Sequence, residues 1–134
     1  MAEGAFYGEL FRSERLALQA SDVFEGGILA GKLAPQRKIG ADVGGIRERI
    51  VAAYPEVERI AAACGATPTQ LGLAFALANP ATANVLFGVS RGEQLEDNLG
   101  ALALLDRVGV PALREATAAL WLDGRLDPGG TWTP

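Results

Sequence analysis

Histidine is absent from the 134 residues, and cysteine occurs once, at Cys64. The first absence removes the commonest general acid/base, the commonest zinc ligand and every Ser-His or Cys-His nucleophile. The second excludes an intrachain disulfide and makes a reducing, cytoplasmic setting the expectation. Cations are also few: Lys and Arg total 12 against 16 Asp and Glu, for a net charge of -4. No basic surface therefore advertises nucleic acid or an anionic membrane. Long hydrophobic runs are missing too. The most apolar stretch, residues 71–89, is interrupted by Asn79, Pro80 and Asn84, and is not expected to span a bilayer. Met1-Ala2-Glu3-Gly4 has neither the basic nor the apolar region of a signal peptide.

What is present is an ordinary globular composition, 49% hydrophobic and 21% charged, on a length that suits one domain. Residues 1–15 show no clear period and are expected to carry little structure. Residues 16–24 read as a strand running into Gly26-Gly27. Residues 31–45 read as a long loop rich in glycine and in the basic residues Lys32, Arg37 and Lys38. Apolar residues then recur at helical spacing from Ile46 to Ala63, with Pro55 expected to divide the stretch into two helical pieces and Gly65 to close it. Thr67-Pro68-Thr69-Gln70 carries a capping threonine, a proline at the first helical position and a glutamine that completes a capping box. The helix it opens is expected to run to Ala78, before Pro80. Between Arg59 and Arg91 there is no charged side chain, so this stretch is read as interior. Val85-Leu86-Phe87-Gly88 has the form of a short buried parallel strand. Ser90-Arg91-Gly92-Glu93 reads as a second capping box, opening a helix to about Leu104. A last amphipathic helix is expected from Val110 or Pro111 to Leu122, ahead of a Gly/Pro-rich tail. The order of elements is that of an α/β protein with parallel strands.

The strand ending at Gly88 and the helix starting near Ser90 carry the chemistry. The first turn of a helix presents unpaired N–H groups and partial positive charge. Gly88 permits close approach to the backbone, and Arg91 supplies a permanently charged fork that matches phosphate. On these residues alone two readings stay open. One is a phosphate cradle. The other is a capped helix on which Arg91 is a solvated surface charge.

The longer string Gly88-Val89-Ser90-Arg91-Gly92-Glu93-Gln94-Leu95-Glu96-Asp97-Asn98-Leu99-Gly100-Ala101 resembles the G-x-S-x-x-E-Q-L-x-E-N-x-x-A segment of aldo-keto reductases, which follows the last strand of their barrel. Thr67-Pro68-Thr69-Gln70-Leu71-Gly72-Leu73-Ala74-Phe75 is similar to the family's S-P-A-Q-L-A-L-A-W helix. Phe24-Glu25-Gly26-Gly27-Ile28-Leu29-Ala30-Gly31-Lys32 looks like its G-G-x-L-x-G-K stretch. Asp127-Pro128 and Trp132 are loosely similar to the end of many members. The resemblance, strongest over residues 16–105, implies the C-terminal part of a (β/α)8 barrel binding NADP(H). By that resemblance Gly88, Ser90 and Arg91 face the cofactor phosphate, and Gln94, Asp97 and Asn98 face the adenosine. Val23, Phe24, Glu25 and Lys32 belong to a segment that folds over the pyrophosphate. Two departures stand out: Asp97 takes the place of a usual glutamate, and Asp22 that of a typical serine. The extra carboxylate of Asp22 is unfavourable beside a pyrophosphate.

The family's activity is hydride transfer between NADPH and a small-molecule carbonyl, with a catalytic Asp, Tyr, Lys and His from the N-terminal half of the barrel. No segment here resembles those strands. Tyr7 lacks the neighbours that would lower its pKa from about 10. Between Arg12 and the strand at Leu16 there is no room for a crossover helix, which needs roughly a dozen residues. The expectation is a truncated or internally deleted cofactor-binding part of an oxidoreductase, inactive alone, that self-associates or meets a missing N-terminal half. The alternative is a non-catalytic NADPH-binding or protein-interaction module. No metal site is expected. A helix-turn-helix reading of residues 57–70 fails because the second helix offers Gln70 and then only apolar or small residues, where groove reading needs polar and basic ones. Cys64 reads as a buried small residue ahead of a helix cap.

Overall fold

The computed structural model of the chain describes residues 5–13, 16–34 and 46–120. Five helices and two short strands follow one another in these stretches. They are α1 (Ala5–Ser13), β1 (Leu18–Ala20), α2 (Ile46–Ala63), α3 (Pro68–Leu77), β2 (Thr82–Val85), α4 (Gly92–Val108) and α5 (Val110–Thr117). A short 3-10 turn, Glu25–Ala30, follows β1, and a second, Ala118–Leu120, follows α5. The architecture is α/β and mostly helical. Residues 35–45, with Arg37 and Lys38, and the tail beyond Leu120 lie outside the described residues.

β1 and β2 form a two-stranded parallel sheet, pairing Leu18 with Thr82, Gln19 with Asn84 and Ala20 with Val85. Both strands are displaced or shortened relative to the sequence pattern. The strand expected over 16–24 is cut short after Ala20, because Asp22 turns the chain at φ 53°. Its carboxylate Oδ1 accepts from the Gly26 N–H at 3.2 Å, and its carbonyl accepts from Glu25 N–H at 2.9 Å. β2 begins three residues ahead of the apolar run Val85-Leu86-Phe87. The Leu86 N–H still donates to the Ala20 carbonyl at 2.8 Å, so the ladder fades as the chain approaches Gly88.

Residues 1–15 are a further correction. α1 occupies Ala5–Ser13, with Arg12 in its last turn, where a cation complements the helix dipole. Pro55 does not divide α2, which continues through it. An interior proline costs about 3 kcal/mol, but Val57 and Ile60 beyond it are buried, each worth roughly 1.5–3 kcal/mol. Those burials exceed the penalty, and Pro55 itself is exposed, on the side where water can satisfy the carbonyl it leaves unpaired.

The turn from α2 to α3 follows the sequence closely. Ala66 N–H donates to Ala61 O at 2.9 Å and Gly65 N–H to Ala62 O at 3.0 Å, with Gly65 at φ 62°. This is the paired closure of a helix end by a left-handed glycine. Arg107 of α4 completes it by donating to the carbonyls of Cys64 and Gly65, at 2.8 and 3.3 Å. Cys64 itself is half-buried against the core rather than fully buried. The Thr67 capping box forms as expected: Gln70 N–H donates to Thr67 Oγ1 at 3.2 Å, and Thr67 N–H to Gln70 Oε1 at 3.1 Å.

The core lies among α2, α3, α4 and α5, where Val57, Ile60, Leu71, Leu73, Ala74, Ala101, Leu104 and Leu113 are buried together. Leu71, Leu73 and Ala74 come from the uncharged stretch read as interior. α4 runs one turn past Leu104, and the last helix ends earlier than expected, at Thr117, whose Oγ1 donates back to the Leu113 carbonyl at 2.9 Å. Among the described residues no single helix is long and apolar enough to cross a membrane, and no group of three or more His, Cys, Asp or Glu gathers where a metal could sit.

Candidate functional site

Two segments distant in sequence meet at one cleft. The turn after β1 supplies one wall with Asp22, Val23, Phe24 and, further on, Lys32. The chain from Leu86 into the first turns of α4 supplies the other. Phe24 and Phe87 join the walls, their rings tilted with centroids 6.2 Å apart, a geometry worth about 0.5–1.5 kcal/mol beyond burial. The cleft measures about 1580 Å³, above the roughly 300–1,000 Å³ of an ordinary small-molecule pocket. It has room for an extended ligand.

The start of α4 is built differently from the capping box read in the sequence. The helix begins at Gly92, one residue later than that box requires, so the third helical position is Gln94 and not Glu93. Gln94 Oε1 accepts from the N–H groups of Ser90 and Arg91, at 2.9 and 3.1 Å, and from Ser90 Oγ at 3.2 Å. Glu93 is left exposed at the cleft. The N–H groups of Gly92 and Glu93, in the first turn, have no intrahelical acceptor. Arg91 is exposed beside them and has no ion-pair partner among the described residues.

Nine of the ten expected site residues line the cleft: Gly88, Ser90, Arg91, Gln94, Asp97, Asn98, Val23, Phe24 and Lys32. Glu25 does not. Its backbone sits at φ 43° and its carboxylate accepts from Arg47 Nε of α2 at 2.9 Å. Gly88 faces open space, since a Cβ built there meets no atom within 4 Å. Asn98 is 5% exposed, and its side-chain amide has no hydrogen-bond partner among the described residues. Thr82 Oγ1 is the one fully buried side-chain polar atom without a partner among the described residues, so the Asn98 amide retains some access to solvent at the cleft.

Asp97 is held by the protein itself. Its carboxylate accepts from Thr69 Oγ1 at 2.8 Å, Thr67 Oγ1 at 3.2 Å and Gln70 Nε2 at 2.9 Å, and Gln70 Nε2 also donates to its carbonyl at 2.9 Å. The start of α3 is thereby fixed to the second turn of α4. Thr67, Pro68 and Thr69 border the cleft for this reason, and Tyr54 reaches it from α2. The sequence contained no signal for Tyr54, and nothing in it paired residue 97 with 67–70.

A model of the aldo/keto reductase family matches residues 11–117. The chain belongs to this family. Among curated proteins, a "Putative voltage-gated potassium channel subunit beta" of Schizosaccharomyces pombe is 35% identical over 60 residues. That match covers 45% of this chain and 17% of the yeast protein, so this aldo-keto reductase chain corresponds to a small part of that relative.

Proposed function

We propose that the cleft holds NADP(H), and that this chain is the cofactor-binding C-terminal part of a (β/α)8-barrel oxidoreductase acting on a small-molecule carbonyl or alcohol. The observation that carries the reading is the meeting of Val23, Phe24 and Lys32 with Gly88, Ser90, Arg91 and Asn98 around one cleft. The residues suit the group. Gly88 leaves space at the backbone, the first turn of α4 offers N–H groups and dipole, and among the described residues Arg91 has no ion-pair partner and the Asn98 amide no hydrogen-bond partner. In this reading Ser90 and Arg91 take the 2′-phosphate, Asn98 the adenosine side, and Lys32 the pyrophosphate opposite. Asp22 does not oppose the phosphates as strongly as its charge suggests, because its carboxylate is engaged with the Gly26 N–H. Bound NADP(H) supplies or accepts a hydride. In this reading the groups that would move the accompanying proton come from elsewhere, since the sequence has no histidine and no segment resembling those that carry the family's catalytic set. A cytoplasmic site of action goes with this reading.

The missing catalytic groups and the channel-subunit relative favour a second reading, in which NADPH is bound without turnover by a protein-interaction module. Calorimetric titration of the chain with NADPH, NADH and the Arg91→Ala variant tests the first point. Saturable NADPH binding that weakens for NADH and for Arg91→Ala is expected, and no binding would overturn it. Following NADPH absorbance with an added aldehyde separates the two readings.

A further inference from the structure

α4 and the residue before it present an exposed stripe of which only Arg91 borders the cleft. Leu95, Leu99 and Leu102 are 42%, 53% and 54% exposed, and Arg91 and Asp106 are exposed at either end of the same row. Steps of four, three and four residues keep Leu95, Leu99, Leu102 and Asp106 within a sector of about 60° on a helix of 3.6 residues per turn, and Arg91, the residue before the helix, stands about one turn ahead of Leu95. This sector faces away from α3, which meets α4 through Gln70 against Gly100 and Asp97. Neither Arg91 nor Asp106 has an ion-pair partner among the described residues. The row therefore reads cation, three leucines, carboxylate, over about 22 Å at 1.5 Å per residue.

We propose that α4 pairs antiparallel with α4 of a second copy of this chain. The stripe complements itself in one register. Setting Leu95 against Leu102 of the other copy also sets Arg91 against Asp106 of the other copy, and the two-fold axis repeats both contacts. Leu99 then sits beside the axis. A parallel pairing would oppose Arg91 to Arg91 and Asp106 to Asp106, so charge selects the antiparallel arrangement. One helix pair buries less than a standard interface, which sets the expected dissociation constant at about micromolar or weaker.

Sedimentation equilibrium of the full chain over a range of concentrations is the test. A monomer–dimer equilibrium is expected. Leu99→Glu abolishes it, and because the stripe is exposed this variant keeps the wild-type circular dichroism. Arg91→Asp and Asp106→Arg each weaken the dimer by about tenfold, since every lost pair counts twice and is replaced by a repulsion. The double swap R91D/D106R restores it. Mixing Leu95→Cys with Leu102→Cys chains, both carrying Cys64→Ser, gives more disulfide-linked dimer than either alone. A chain that stays monomeric at about 1 mM, a dimer indifferent to Leu99→Glu, or a double swap that restores nothing overturns the proposal. Monomer throughout would mean that the stripe is covered by another protein or segment.

Discussion

The side-chain amide nitrogen of Gln70 lies 2.5 Å from the point that a Cβ on Gly100 would occupy. Gly100 is inside α4, where glycine is normally a weakness of about 1 kcal/mol relative to alanine. Here its bare Cα lets Gln70 lie across the helix and donate to the carbonyl and carboxylate of Asp97, both at 2.9 Å. Gly100→Ala is therefore expected to destabilise the chain by about 1 kcal/mol, because hydrogen bonds to a charged group are worth roughly 1.5–3 kcal/mol. In a Gln70→Ala background the sign reverses and Gly100→Ala stabilises. Urea melts of the four proteins form the double-mutant cycle. Stabilisation by Gly100→Ala in the wild-type background would show that Gln70 gives way at no cost.

Asp97 receives donors from Thr67, Thr69 and Gln70 at once. Asp97→Ala is expected to lower stability by about 2–3 kcal/mol. Asp97→Asn is nearly isosteric, yet it turns an NH2 group toward these donors and should lose most of the same amount. Chemical denaturation of both variants distinguishes this from simple packing, under which Asn would behave like wild type.

The wall of the cleft around Gly88 was legible because its parts are local signals: a strand, a glycine, a helix start and an arginine lie within a few residues of one another. The Thr67–Gln70 cap and the Gly65 closure were legible for the same reason, since side chain and partner sit within one turn. What escaped depends on tertiary contact. Pro55 marked a break by its chemistry, but the burial of Val57 and Ile60 beyond it carries the helix through. The cap of α4 shifted by one residue because glutamate and glutamine are adjacent, and only the helix start decides which reaches back. Glu25 was placed with the cleft by its position in the chain. Its left-handed backbone turns it to Arg47 instead, and no pattern in the sequence announces a partner 22 residues away.

Tyr54 is 8% exposed, and its hydroxyl pKa is raised above 10.0, first by burial and then by the charge of Glu58 and the hydrogen bond to it. An acid whose pKa is raised by folding binds its proton more tightly in the native state. Its contribution is fully present below pH 10.0, the unfolded value, and is lost as pH rises through the higher folded value. Stability is thus expected to fall on the alkaline side, and Tyr54→Phe should flatten that limb without changing the curve near neutrality. Glu58→Gln should flatten it in part. Denaturant melts across the alkaline range check this. An unchanged limb in Tyr54→Phe would assign the loss to other groups.

Gly88 offers the cleanest separation of binding from folding. A Cβ at this position meets nothing within 4 Å, so Gly88→Val has no protein atom to strike, and the added methyls project into the cleft. The melting curve of Gly88→Val should match wild type to within about 0.5 kcal/mol, while NADPH affinity falls by about tenfold or more, a difference of at least 1.4 kcal/mol. Arg91→Ala acts on the phosphate and should discriminate NADPH from NADH. Gly88→Val acts through space alone, and should weaken both cofactors alike. Calorimetry with the two nucleotides on the two variants reads this contrast. If Gly88→Val binds NADPH as wild type does, the ligand does not pass over Gly88, and the phosphate site must be sought along Lys32 and Gly31 on the opposite wall.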